Sequence, residues 1–207
     1  MITSYKQLPI GLYLDILAVS EDPALDELTK QVRTLAALSG KTEDAILNQP
    51  IADYKAMVVA ASFLTREAEG VGRPASEYKF GGFTLVPVGD FRKLTAAQFL
   101  DYQTLYPERE KRVVELLSVG LVPKGCKYGQ GYDIAEVQRA IRENLSVADT
   151  LALAAFFFKS WIRYLRRSLI YSRRQLRLIP RAKRRAMAER MARVWATLLT
   201  AGDGSTT

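Results

Sequence analysis

The chain has 207 residues, 48% of them apolar, with one cysteine, no histidine and a net charge of +8. That balance predicts one or two small globular units rather than wholesale disorder. The single Cys126 and the missing histidine exclude an internal disulfide, Ser-His and Cys-His nucleophile pairs, and a structural zinc site within one chain, so no cofactor is expected.

The N-terminal stretch MITSYKQLPIGLYLDILAVSED carries one lysine and reaches Asp15 early. It does not fit a secretory signal, and a cytosolic protein is expected. A short apolar helix should begin at Leu12, Leu14, Ile16 and Leu17. In residues 24–39, Leu25, Leu28, Val32, Leu35 and Leu38 recur at three- and four-residue spacings, which predicts an amphipathic helix stopped by Gly40. Thr42, ahead of Glu43 and Asp44, marks the start of a short helix through Leu47. Residues 51–66 predict another helix, with the apolar run Met57 to Leu64 expected to be buried.

Gly70, Gly72 and Pro74 then punctuate a linker. YKFGGFTLVPV reads as a hairpin about Gly81-Gly82, with Pro87 suggesting an edge strand. A lone hairpin is marginally stable, so it should rest on the helices or pair with another chain. Beyond it the opening pattern returns. LPIGLYLD (8–15) resembles LTAAQFLD (94–101), QVRTLAALSG resembles RVVELLSVGL, and NQPIAD (48–53) resembles NLSVAD (144–149). The fold expected is therefore mainly α, with two related helical units at 1–70 and 93–158 separated by a linker and hairpin at 71–92. A true repeat would pack about a pseudo-twofold axis with its two most apolar helices central; chance recurrence of short helical patterns is the alternative.

The glycine-rich loop GCKYGQGYD lacks the Gly-Lys-Ser/Thr ending of a phosphate cradle, and no buried strand is expected before it. It reads as a plain loop leading into a helix over 134–144. Lys124 and Lys127 flank Cys126, but no base or resolving thiol accompanies it. Asp15, Asp53, Asp101 and Asp149 close similar apolar segments, and helix capping accounts for them better than catalysis. The expected protein is not an enzyme.

Ser146 with Asp149 resembles a capping box and should start a helix free of Pro and Gly until Pro180. Its apolar run LALAAFFF (151–158) is far short of the roughly 20 residues that cross a bilayer. Residues 159–207 form a basic arm with 13 basic groups against Glu189 and Asp203, a net +11, whereas residues 1–158 hold 17 basic and 20 acidic groups, a net −3. The arm combines Arg163, Arg166, Arg167, Arg173, Arg174, Arg177, Arg181, Lys183, Arg184 and Arg185 with Trp161 and Trp195 on an apolar stripe. Like charges at this density call for a covering macromolecule. Three partners fit: an acidic or amphipathic helical protein or another copy of this chain, then nucleic acid through phosphate contacts, and last an anionic membrane surface.

The stretches YKQLPIGLYLDILAV, LAALSGKTEDAILNQPIADYKAM and LTAAQFLDYQTL, over residues 5–160, resemble tail or baseplate assembly chaperones of tailed bacteriophages. The arm lies outside that likeness, and no functional residue is carried over. The resemblance implies a non-enzymatic role in virion assembly in the host cytoplasm, through binding a long apolar helical protein that sets tail length. The cationic arm also suits a component retained in the virion, touching DNA or an acidic neighbour.

Overall fold

The computed structural model describes residues 1–66, 72–80, 82–109, 111–157, 159–160 and 164. It is mainly helical: α1 (Ile10–Glu21), α2 (Glu27–Ser39), α3 (Glu43–Leu47) and α4 (Ile51–Ala61) precede strands β1 (Tyr78–Phe80) and β2 (Phe83–Pro87). Then come α5 (Ala96–Leu105), α6 (Val113–Gly120), β3 (Leu121–Pro123) and α7 (Ile134–Asn144). A last helix, α8, occupies 147–157 and continues at 159–160 and 164.

Local chemistry sets most of the boundaries. The Asp26 carboxylate accepts from Thr29 N–H at the start of α2, and Gly40, with φ 69°, ends it in the left-handed region that glycine alone enters freely. Thr42 caps α3 as its sequence predicts, accepting from Ala45 N–H. At α5, Thr95 Oγ1 accepts from Gln98 N–H while Gln98 Oε1 accepts from Thr95 N–H, a complete capping box. The Ser146 hydroxyl accepts from Asp149 N–H and donates to the Asp149 carboxylate at the head of α8.

The hairpin does not stand alone. β2 pairs antiparallel with β1 (Tyr78 opposite Leu85) and with β3 (Val86 opposite Val122), so the sheet order is β1-β2-β3. Pro87 therefore lies in the central strand, not at an edge. Its position explains why it is tolerated: Val88 N–H donates to Gly120 O, so in the alternating antiparallel pattern position 87 faces the β1 side, and β1 begins only at Tyr78. β3 is fully buried, so a buried strand does precede the glycine loop, contrary to the sequence expectation.

The main core runs through both halves of the chain, from Leu8 and Ile16 through Leu85, Leu117, Leu121 and Ile141 to Leu153 and Phe157. Backbone hydrogen bonds join the two halves: Ile10 N–H donates to Leu145 O, and Val147 N–H to Leu8 O, both at 2.8 Å. At this seam α1 crosses α7 so closely that a Cβ on Gly11 would lie 2.6 Å from the Arg142 carbonyl oxygen. Among the described residues four α-helices precede the hairpin and four follow it. The two most apolar helices differ in burial: α8 buries Ala152, Leu153 and Phe157, whereas α4 buries no residue at all.

Candidate functional site: an open apolar ledge on α2 and α4

Helix α4 is apolar nearly all the way round, a composition that ordinarily marks a helix enclosed by protein. Here only one side is covered. Tyr54, Met57, Val58 and Ala61, at helical spacing, pack on a small separate cluster of Val32, Leu35 and Ala36 from α2 with Ile46 from α3. The Tyr54 hydroxyl donates to Gln31 Oε1 at 2.7 Å and fixes α4 on α2. The rest of α4 is open: Ile51 is 69% and Val59 72% exposed, Leu47 just before it is 60% exposed, and Leu28 on α2 is 61% exposed. The expected burial of Met57 to Leu64 is only partial: Val59 is exposed and the others are half-buried. The reason is topological: an apolar run demands a cover, but α2 and α3 offer only enough surface for one face.

Between α2 and α4 lies an open groove of about 630 Å³, walled by Leu28, Gln31 and Leu35 on one side and Val58, Ala61 and Leu64 on the other. Successive residues advance about 100° around a helix, which puts Ile51 beside Val58 on the groove-ward flank of α4 and Val59 on its outer face, so that the apolar surface continues from the groove around the helix. Beyond α4, a 3-10 turn (Ser62–Thr65) is tied to the main core by Tyr5. The Tyr5 hydroxyl donates to Leu64 O at 3.1 Å, and its ring meets Phe63 edge-on at 5.2 Å. Burial, then the neighbouring Tyr13, holds the Tyr5 phenol above its ordinary pKa, so it remains a donor.

Charge along the segment that builds this ledge is asymmetric, although the groove's own charged lining, Glu27 and Lys30, is neutral. Residues 21–61 hold seven acidic and four basic groups, a net −3. The remaining residues of 1–158 hold 13 of each, so these 41 positions carry the whole acidic surplus of the body. Two of the four bases are already engaged: Lys30 with Glu27 at 3.4 Å and Arg33 with Glu43 at 3.3 Å. The Arg33–Glu43 approach is an ion pair only, since Arg33 Nε lacks a hydrogen bond of acceptable geometry.

The other sequence candidates separate into three groups. Trp161, Arg163, Arg166, Arg167, Arg173, Arg174, Arg177, Arg181, Lys183, Arg184, Arg185 and Trp195 lie outside the described residues. The glycine loop does lead from a strand to a helix, but its end is occupied: Asp133 caps α7, its carboxylate accepting from Ala135 N–H, where an anion would need that amide. Of the carboxylates, Asp149 is the capping partner of Ser146 and Asp53 sits in the first turn of α4. Asp15 and Asp101 are not caps. They stand in mid-helix, where Asp15 pairs with Arg142 of α7 and Asp101 accepts from the Tyr128 hydroxyl at 2.9 Å. Among the described residues no group of three or more His, Cys, Asp or Glu converges.

The ledge itself is absent from the sequence expectations as a site. Its available signal was the run from Ile51 to Leu64, which is apolar on every face of a helix. The chain matches no family model, no curated protein and no solved structure.

Proposed function

We propose that this chain is a non-enzymatic bacteriophage assembly or structural protein, tail-assembly-chaperone-like or a virion component, that works by binding other proteins. The observation that carries the binding half of this reading is α4, an apolar helix with no buried residue. Exposed apolar patches of this kind mark interaction surfaces. Covering Leu28, Leu47, Ile51 and Val59 would return roughly 4–8 kcal/mol at the usual transfer value per side chain. Association costs of similar size consume most of that, so the ledge suits a helical partner whose remaining contacts, including those of the basic arm, supply the surplus. The phage half rests on the sequence likeness over residues 5–160, and it puts the protein in the host cytoplasm during assembly.

The test is co-purification of the full chain with the long apolar helical protein that sets tail length in the same virus. A complex that survives with the wild type and is lost on Ile51→Lys with Val59→Lys supports the reading. No complex at micromolar concentrations overturns it.

The 13 basic groups of residues 159–207 support a second reading, a nucleic-acid-binding protein using the arm. Binding through several phosphates should weaken by orders of magnitude from low to physiological salt, whereas a helix seated on the ledge should respond far less. Among the described residues no helix is long and apolar enough to cross a membrane; a membrane surface is the least favoured partner.

A further inference from the structure

We propose that the ledge formed by α2 and α4 receives the basic amphipathic C-terminal segment, residues 181–199, of a second copy of this chain. The proposal rests on the protein-binding reading above and names one partner for the same surface.

Three observations converge. First, the two surfaces match in character. The ledge is an apolar groove set in the region that holds all of the body's acidic surplus. Residues 181–199 carry Arg181, Lys183, Arg184 and Arg185 ahead of Met187, Met191, Val194 and Trp195, with Glu189 as the only acid. A segment of this composition supplies apolar anchors at three- and four-residue spacing together with the opposite charge, as helix-in-groove recognition requires. Second, the charge pattern is self-complementary across the chain: −3 in residues 21–61, zero over the rest of the body, and +11 in the arm. The rest of the body, taken together, offers the arm no net opposite charge.

Third, the connection favours a neighbour's ledge over its own. The start of α8 lies beside the groove's inner end, since Ala148 N–H donates to Tyr5 O and the Tyr5 hydroxyl reaches Leu64 O. Tyr164, farther along the same helix, packs against Phe99 of α5 with ring centroids 5.8 Å apart. At about 1.5 Å per residue, Tyr164 stands roughly 24 Å along α8 from Ala148. The sequence carries no helix breaker before Pro180, and continued helix to that point would add about 24 Å. Were that so, the segment after Pro180 would have to fold back over that length to reach its own groove, which a neighbour's groove does not require. Because arm and ledge are different surfaces, the contact is heterologous and propagates head to tail.

Sedimentation velocity on the full chain tests this with two defective variants. Leu28→Glu with Val59→Glu spoils the ledge; Arg184→Glu with Arg185→Glu spoils the arm. Leu28 and Val59 are 61% and 72% exposed, so the first variant should unfold at the wild-type temperature. The wild type should show concentration-dependent association, weakened by salt, and each variant alone should associate at least ~10-fold more weakly. Mixing the two variants should restore a 1:1 heterodimer, the good arm of one seated on the good ledge of the other. Association that persists in either variant alone, or a mixture that stays monomeric, overturns the proposal. So does a monomeric wild type in which the arm substitutions raise hydrogen exchange in α4, because the arm would then cover its own ledge. If the wild type is monomeric yet still forms the complex with the tail-length protein, the inference fails and the protein-binding reading stands; if it forms neither, both fall.

Discussion

Gly11→Ala puts two opposed effects on one residue. Helix propensity alone would make it stabilising by about 1 kcal/mol, because Gly11 is within α1 and alanine is the better helix former. The packing predicts the reverse. The added methyl would meet the Arg142 side chain at Cγ and the Arg142 carbonyl oxygen at 2.6 Å. The side chain can swing aside; the carbonyl belongs to the α7 backbone and cannot. Restoring ordinary contact at 3.4 Å requires α1 to retreat by about 0.8 Å, against the Ile10–Leu145 and Val147–Leu8 hydrogen bonds that hold the seam. Overpacking of this sort costs about 1–3 kcal/mol, so the net loss should reach about 2 kcal/mol after the propensity gain. For a chain of this length each kcal/mol moves Tm by about 2–4 °C, which gives a fall of up to about 8 °C in thermal unfolding followed by circular dichroism. Gly72→Ala, where an added methyl meets nothing within 4 Å, is the matched control and should leave Tm in place. A Gly11→Ala protein that melts above the wild-type temperature, as propensity alone requires, would refute the close approach of α1 and α7.

Gln98 is 4% exposed and donates through Nε2 to Val119 O at 2.9 Å, joining α5 to the end of α6. Gln98→Leu leaves that carbonyl and the Thr95 amide without their partner, and the urea midpoint should fall by the equivalent of about 1–3 kcal/mol; an unchanged midpoint would remove Gln98 from the account. Burial holds the Tyr102 and Tyr128 phenols above the ordinary value of 10.0, with the bond to Asp101 adding to the effect at Tyr128. The stabilisation is complete below pH 10 and declines above it, because the unfolded chain then releases phenolic protons that the folded chain keeps. Ultraviolet titration should show tyrosines ionising in two classes, the second together with unfolding, and Tyr128→Phe should reduce that second class. A single class titrating normally while the fold persists would contradict the burial.

Most helix boundaries were legible because they depend on neighbours in sequence: Gly40, Thr42 and the Ser146–Asp149 pair signal their roles within four residues. The Thr95–Gln98 capping box carried the same kind of signature and was open to the same reading. β3 was not legible, since three residues, Leu121 to Pro123, show no alternation and become a strand only by meeting Val86 across the fold. Pro87 misled for a related reason: proline forbids a hydrogen bond on one side of a strand, and only the sheet reveals which side is vacant. The candidate site was half legible. That α4 is apolar is plain from Ile51 to Leu64; that the body leaves it uncovered depends on how little surface α2 and α3 present. The arm residues, from Trp161 to Trp195, fall outside the described residues, so their role remains a reading of composition.

The central claim is that the open flank of α4 exists to be covered by protein. Hydrogen–deuterium exchange over residues 51–61, in the free chain and in its complex with the tail-length protein, tests it most directly. The account predicts rapid exchange there in the free chain, diluted until it is monomeric, and strong protection in the complex, abolished by Ile51→Lys with Val59→Lys. A stable complex whose protection falls elsewhere and leaves 51–61 unchanged would contradict it.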